Sequence, residues 1–138
     1  MGEVMKKRIC VCLMTCLLVL SLAGCGPLKM EDKVADAYVE DILDAIEDQD
    51  ADEIYDLFME GAVEYEDVED IMEPLGGVWN NEEYTYSLTY MGIKANAGLG
   101  GNYTLKERRY KIETEDHTYT MELAYIEDEG LYSFRLNY

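Results

Sequence analysis

The stretch Tyr84-Thr85-Tyr86-Ser87-Leu88-Thr89-Tyr90 decides the fold, because its large side chains recur at every second position. Tyrosine and leucine alternate there with threonine and serine, which is the pattern of a β-strand with one buried face. Upstream of Gly77 the apolar residues follow a helical spacing instead. We therefore expect helices in the first part of the folded region and a sheet in the second.

The same two-residue period predicts three more strands toward the C-terminus. One runs from about Leu105 to Thr114, and after a turn at 115–117 the next strand places four apolar side chains on one face: Tyr119, Met121, Leu123 and Tyr125. A second turn at 127–130 leads to the last strand, whose alternate residues are Tyr132, Phe134, Leu136 and Tyr138. Together with the first strand, these segments predict a meander of antiparallel strands.

Two helices are predicted from the start of the folded region. From about Met30 to Asp48 apolar residues recur at i, i+4 spacing, as in an amphipathic helix. Asp50 and Glu53 then have the spacing of a capping box, so a second helix should begin there and end near Gly61. Three residues of this second helix are expected to point inward: Ile54, Leu57 and Phe58.

A third helix is predicted from Glu66 to about Glu73. Pro74 and Gly76-Gly77 are expected to stop it, since proline removes a helical hydrogen bond and glycine favours helix ends. Helices followed by antiparallel strands predict the α+β class. The expected architecture is three N-terminal helices packed on one face of a curved antiparallel sheet.

The N-terminus has the three parts of a secretory signal. Lys6-Lys7-Arg8 is the positive region, Ile9–Leu20 is apolar, and Leu22-Ala23-Gly24-Cys25 ends the segment. From Ile9 to Ala23 there are 15 residues, fewer than the ~20 that a membrane-spanning helix needs. The pattern therefore favours a cleaved leader over a membrane helix.

Leu22-Ala23-Gly24-Cys25 resembles the lipobox of bacterial lipoproteins. This resemblance implies cleavage between Gly24 and Cys25 and a diacylglyceryl group on the Cys25 sulfur. It divides the chain into a lipoprotein signal peptide at 1–24, a lipidated cysteine with a short tether at 25–29, and a domain at 30–138. Two acyl chains anchor a protein stably where one is marginal. We therefore expect the domain on the extracytoplasmic face of a cell membrane.

Cleavage changes the composition of the chain. Removing residues 1–24 from 138 leaves 114 residues, enough for one small domain. Three of the four cysteines, Cys10, Cys12 and Cys16, leave with the leader, so no disulfide or cysteine-based zinc site is expected. The leader carries three bases and one acid, so the rest of the chain carries −21 against −19 for the whole. Such a charge excludes nucleic-acid binding.

The order of elements resembles the nuclear transport factor 2-like superfamily, a cone-shaped α+β fold. More closely, the chain is similar to a family of small lipoproteins found mostly in Gram-positive bacteria. Three segments carry that resemblance: Ala51-Asp52-Glu53 before Leu57-Phe58, Tyr110-Lys111-Ile112, and Gly130-Leu131-Tyr132-Ser133-Phe134-Arg135-Leu136. The resemblance covers residues 30–138 and brings no catalytic residue and no cofactor with it.

In this superfamily the helix-facing side of the sheet often leaves a cone-shaped pocket. The side chains that would line it here are Tyr84, Tyr86, Tyr119, Met121, Tyr125, Tyr132 and Phe134. Phenol hydroxyls on an apolar wall can orient a small ligand. The alternative is that these rings fill the cone, since a domain of this size leaves little spare volume.

Two functions follow from these observations. The first is a membrane-anchored, non-catalytic module that binds a protein or a small ligand. The alternative is a small isomerase or dehydratase that uses the cone, which requires a carboxylate or histidine in an apolar pocket. Glu122 is expected on the opposite, polar face, and the inward strand positions offer only Tyr, Met, Leu, Ile and Phe. We therefore favour the non-catalytic module.

The polar face of the sheet is a second candidate surface. It should carry Thr118, Thr120, Glu122, Ser133, Arg135 and Asn137, and a homodimer could form through it with a wet, modest interface.

Other motifs are weak. Asp48, Asp50 and Asp52 match the first ligands of a calcium loop, but Glu53 replaces its glycine, so no metal site is expected. His117, the only histidine, lies in a predicted turn and is expected to be solvated rather than catalytic. Gly98-Leu99-Gly100-Gly101 lacks the lysine of a phosphate loop and is interpreted as a hairpin connection.

Overall fold

A computed structural model describes residues 30–79, 83–95 and 103–138. They form three helices, α1 (Lys33–Asp48), α2 (Ala51–Leu57) and α3 (Tyr65–Val78), and four strands, β1 (Thr85–Ala95), β2 (Thr104–Glu113), β3 (Thr118–Ile126) and β4 (Gly130–Asn137). The strands form a curved antiparallel sheet in chain order, which confirms the α+β class. The predicted signal peptide, the lipobox with Gly24 and Cys25, the tether at 25–29 and the loop at 98–101 lie outside the described residues.

The core lies between α1 and one face of the sheet. The apolar stripe of α1 is fully buried and consists of Ala35, Val39, Ile42, Leu43, Ala45 and Ile46. Its spacing of three and four residues is what an amphipathic helix requires. The sheet contributes Tyr110, Ile112, Tyr119, Met121, Leu123, Tyr125, Leu131 and Leu136. The predicted alternation of β3 is therefore confirmed, since its odd-numbered residues from 119 to 125 all face this core.

Both of the first two helices begin at an aspartate cap. The Asp32 carboxylate accepts hydrogen bonds from the backbone N–H groups of Val34 and Ala35, each at 3.1 Å. The Asp50 carboxylate accepts one from the Glu53 N–H at 3.1 Å, which confirms the cap predicted for α2.

The expected end of α2 near Gly61 is wrong, because the helix ends at Leu57. Phe58 leaves the helix and forms an isolated parallel bridge with Leu131, and the Met59 N–H donates to the Leu131 carbonyl at 2.9 Å. Gly130 makes this approach feasible. Its φ is +136°, and a Cβ there would lie 2.8 Å from the Met59 nitrogen. The segment after α2 is therefore held against the start of β4.

The prediction that Pro74 and Gly76-Gly77 stop α3 is also wrong, since the helix continues to Val78. Pro74 is exposed, so water can satisfy the carbonyl that loses its helical donor. Buried Trp79 follows the helix, and its backbone N–H donates to the Leu75 carbonyl at 2.8 Å. Packing of Trp79 therefore outweighs the local cost of the proline.

Gly76 does not stop the helix but leaves room for the Gln49 side chain to approach α3 closely. A Cβ at this position would lie 2.6 Å from the Gln49 side-chain nitrogen. That nitrogen donates to the Ile46 carbonyl at 2.8 Å and to the Met72 carbonyl at 2.9 Å. Gln49 thereby joins the end of α1 to α3, and a side chain at Gly76 would displace it.

The pairing of β3 with β4 contains a register shift between Ala124 and Tyr125. Because of this bulge Tyr125 pairs with Leu131, which is fully buried in the main core. Tyr132 packs instead in a separate small cluster with Leu105, Ala124 and Ile126. The alternation expected for the last strand thus holds at Phe134 and Leu136 and does not extend back to Tyr132.

Candidate functional site

A row of acid–tyrosine hydrogen bonds joins α1 to the sheet. The acids lie at i, i+4 and i+8 on one side of the helix, so their side chains project in the same direction. Each accepts a hydrogen bond from a tyrosine on a different strand. The pairs are Asp32 with Tyr125 at 2.6 Å, Asp36 with Tyr110 at 2.7 Å, and Glu40 with Tyr86 at 2.5 Å. We call these six residues the acid–tyrosine row.

Arg108 closes one end of the row. Arg108 is 5% exposed. Among the residues that the structure describes, it is the only charged one that is buried. Its Nε donates to Asp32 Oδ2 at 2.6 Å, and its Nη1 donates to the carbonyls of Gly92 at 3.1 Å and Glu107 at 2.8 Å. The guanidinium also lies 5.8 Å from the centre of the Tyr125 ring. The arginine charge is therefore paired and hydrogen-bonded, as burial requires.

These contacts set the ionisation of Asp32. Burial alone would raise its pKa, but hydrogen bonds from Tyr125, the Ala35 N–H and Arg108, together with the arginine charge, outweigh burial. The pKa of Asp32 consequently lies below its ordinary value, and this carboxylate stays ionised at neutral pH.

The pKa values of the three tyrosines of the row shift in the opposite direction, upward. Burial first, and then the hydrogen bond to a carboxylate, raise the pKa values of Tyr110 and Tyr125. At Tyr86 the hydrogen bond to Glu40 is the larger cause and burial the second. All three phenols therefore remain protonated donors. A neutral phenol that donates to an ionised carboxylate is a stable structural pair and a poor nucleophile.

The residues predicted to line a pocket are brought together in part. Tyr119, Met121 and Tyr125 are buried in the main core, and three partly buried residues pack against it: Tyr84, Tyr86 and Phe134. Aromatic contacts link several of these rings, including Trp79 with Tyr84 at 5.2 Å and Phe58 with Phe134 at 6.0 Å between centroids. Tyr132 lies in the other cluster, as described above.

The acids of the row and Arg108 were missed by the sequence analysis. The inward position of Arg108 could have been predicted, because the two-residue period that places Ile112 and Tyr110 inward also places residue 108 inward. The amphipathic pattern of α1 gives no reason to separate any of its acids from the solvent face. Asp36 and Glu40, however, lie beside the apolar stripe, where their side chains reach tyrosines at its border.

The opposite face of the sheet carries a shallow polar groove of about 370 Å³. Glu122 lies there as expected and forms an ion pair with Arg109 at 2.9 Å, while Arg135 Nε lies 4.0 Å from the same carboxylate. The Arg109 guanidinium stacks over the exposed Tyr90 ring at 5.4 Å. Pairing places Thr120 opposite Asn137, with Ser133 opposite Ala124 on the same face.

A second groove, of about 580 Å³, lies where β1 begins and β2 ends. Four acids line it together with Tyr84: Glu83, Glu113, Glu115 and Asp116. His117 lies in the neighbouring turn, where its backbone N–H donates to the Thr114 hydroxyl at 3.0 Å. This end of the sheet is strongly negative.

Two of the three acids that resemble a calcium loop have structural roles. Asp50 caps α2, and Asp52 accepts a hydrogen bond from the Tyr65 hydroxyl at 2.7 Å, which helps raise the Tyr65 pKa to about 12. Across residues 30–79, 83–95 and 103–138, no group of three or more His, Cys, Asp or Glu side chains is arranged to hold a metal ion.

Two further findings bear on the function. Within the described parts of the chain, no helix is both long enough and apolar enough to cross a membrane. Comparison with protein-family models, curated proteins and solved structures found no match.

Proposed function

We propose that the protein is a bacterial lipoprotein, anchored through Cys25 on the extracytoplasmic face of the cell membrane. The observation that carries this proposal is the leader, in which a positive region, an apolar run and Leu22-Ala23-Gly24-Cys25 follow one another. In this proposal the domain at 30–138 has a nuclear transport factor 2-like fold. The order of three helices and a four-stranded meander supports that assignment.

The proposed biochemical role is a non-catalytic binding module. The polar groups of the acid–tyrosine row are already paired with one another, since each of its tyrosines donates to Asp32, Asp36 or Glu40. An isomerase or dehydratase in the cone would need a carboxylate that reaches substrate and has a pKa near the working pH. Asp32 is bound to Arg108 and Tyr125 and its pKa is lowered, which makes it a weak base. These contacts favour binding over catalysis.

The polar sheet face is the surface that we assign to a partner, either another protein or a second copy of this chain. It presents both signs of charge in a chain that is otherwise strongly acidic, through Arg109, Arg135 and Glu122. Tyr90 adds an exposed ring beside Arg109. Aromatic and arginine side chains of this kind are enriched where proteins bind each other.

Anchoring can be tested by replacing Cys25. The full chain, expressed in a bacterium, should appear in the membrane fraction with an N-terminal peptide that begins at Cys25 and carries the mass of a diacylglyceryl group. Cys25→Ser should lose that mass and the membrane association, because serine has no thiol to modify. Cys16→Ser is the matched control and should keep both. Membrane association of Cys25→Ser with an unmodified N-terminus would contradict the anchor.

Binding in the cone can be tested separately on residues 26–138. We expect a native mass spectrum without any retained small molecule, because the rings of the helix-facing side pack on each other and on the helices. Extra mass that is lost on denaturation would contradict this expectation and show an open cone with a retained ligand. A homogeneous dimer would support self-association through the polar sheet face, and Arg135→Glu should then shift it toward monomer.

A further inference from the structure

Exposed apolar side chains collect at one end of the domain. Between Glu31 and Tyr138 the described residues include nine large hydrophobic side chains that are exposed, and five of them lie near the start of α1, the end of β1 or the start of β2. These five are Val34, Tyr90, Met91, Ile93 and Tyr103. Tyr90 stacks on Arg109 at the polar sheet face. We call the other four the apolar end patch, and Ile93 is its most exposed member at 68%.

The strand pairing and the Arg108 contacts fix the position of this patch. Met91 pairs with Arg108 across β1 and β2, and the guanidinium of Arg108 binds both the Gly92 carbonyl and the Asp32 carboxylate. The start of α1 and the last residues of β1 therefore lie at the same end of the domain. Tyr103 precedes Thr104, which pairs with Ala95 at the last position of the β1–β2 ladder.

The charge of this end differs from that of the rest of the chain. Residues 84–106 contain no acid and two lysines, although the whole chain has 30 acids among 138 residues. Three acids near the patch are bound to bases: Glu107 to Lys94 at 2.9 Å, Glu127 to Lys106 at 2.7 Å, and Asp32 to Arg108 at 2.6 Å. Glu31 also lies at the start of α1, where Lys33 supplies a charge of the opposite sign. Asp128 and Glu129 in the β3–β4 turn keep this end slightly negative. It therefore suits an uncharged surface better than an anionic one.

The covalent chain limits the distance between this end and the proposed anchor. Asp32 follows Cys25 by seven residues, and a fully extended chain of that length spans at most about 25 Å. The start of α1 must therefore stay within that distance of a lipidated Cys25. The acidic groove lined by Glu113 and Asp116 lies at the opposite end of the sheet.

We propose that the apolar end patch rests against a zwitterionic phospholipid bilayer and orients the anchored domain, with its acidic end directed away from the membrane. The proposal depends on the anchoring described above. Val34, Met91, Ile93 and Tyr103 are too few to bind a membrane strongly alone. An anchor on the same chain makes the contact intramolecular, so a weak apolar contact is enough to hold one orientation.

The experiment uses the only cysteine that follows the leader. The chain from Cys25 to Tyr138 is coupled at Cys25 to a maleimide phospholipid in phosphatidylcholine vesicles whose acyl chains carry bromine, which quenches tryptophan on contact. Ile93→Trp reports on the patch, and Tyr138→Trp is the matched control, since Tyr138 is 83% exposed at the far end of β4. Trp79 is buried in both proteins and its signal is measured in the parent chain.

We expect the tryptophan at position 93 to be quenched several-fold more strongly than the one at position 138. Equal quenching at the two positions would overturn the proposal. So would the absence of quenching at both positions, and vesicle-bound dimers that Ile93→Asp dissociates would then assign the patch to a second copy of the chain. Because coupling at Cys25 is chemical, the result does not depend on lipidation in the cell. A failed anchor and a failed surface contact are therefore distinguishable.

Discussion

Replacing Asp32 with alanine is expected to lower the free energy of unfolding by about 4 kcal/mol, as breaking a buried ion pair does. The change leaves the Arg108 guanidinium buried without its carboxylate and removes the acceptor of the Tyr125 hydroxyl. It also removes the cap of α1. Urea denaturation followed by far-UV circular dichroism measures the loss.

Asp50→Ala is the matched control, because Asp50 caps α2 through Glu53 and remains exposed. Its expected cost is about 1 kcal/mol. The difference between the two variants is what the contacts to Arg108 and Tyr125 contribute. Equal losses in the two variants would show that the buried pair adds nothing beyond helix capping.

The contribution of Asp32 to the free energy of unfolding should also decrease as the pH is lowered. Its folded-state pKa is below the ordinary value of 3.8, so the stabilisation is present in full above about pH 4 and is lost as the pH falls through the folded pKa. Wild type and Asp32→Ala should therefore converge in stability on acidification. Adding Arg108→Met to Asp32→Ala should recover part of the loss, because the uncompensated charge is then removed.

Replacing Trp79 with alanine is expected to cost about 4 kcal/mol, the usual loss for a large aromatic residue in a core. Trp79 is 3% exposed, and its ring meets those of Tyr84 and Tyr119 edge-on at 5.2 and 5.3 Å. The measurement is again urea denaturation by circular dichroism, since the variant has no tryptophan to report fluorescence.

Tyr138→Ala is the control for Trp79→Ala. Tyr138 also meets Tyr119 edge-on, at 6.1 Å, but it is exposed, and its removal should cost less than about 0.5 kcal/mol. If α3 stopped at Glu73, as its sequence suggests, Trp79 would lie in a loop and its loss would be equally small. A small effect of Trp79→Ala would therefore contradict the path that the structure gives to the end of α3.

The elements that could be predicted from sequence are those set by local periodicity. The stripe of α1 and the alternation of β3 depend on spacing that a folded helix or strand imposes on every residue. The Asp50 cap is local in the same sense. The end of α3 is different, because Pro74 and Gly76 are local stop signals that the distant packing of Trp79 and the approach of Gln49 override.

The candidate site was harder to predict because it joins residues that are far apart in the chain. Asp32 and Tyr125 differ by 93 positions, and Asp36 and Tyr110 by 74. The residues around an acid on α1 do not reveal whether its carboxylate contacts a tyrosine of the sheet or only water. The prediction that Tyr132 lines the main core was wrong for a related reason. Tyr132 is an extra residue in β4 between the pairs Ala124–Ser133 and Tyr125–Leu131, and this bulge exchanges the two faces of β4. The alternating side chains of the sequence do not mark its position.

The contact of Phe58 and Met59 with Leu131 has a consequence for self-assembly. A β-sheet can stack into an open-ended fibre only if each copy offers two free edges of backbone hydrogen-bonding groups. Here the chain itself occupies the outer edge of β4 at Leu131, and Gly130 admits it. The edge of β1 is the longer one, and among the described residues β2 is its only neighbour in the sheet. Pairing of two copies through β1 would consume that edge in both copies, so any further growth would have to use the β4 edge, which the chain already covers at Leu131.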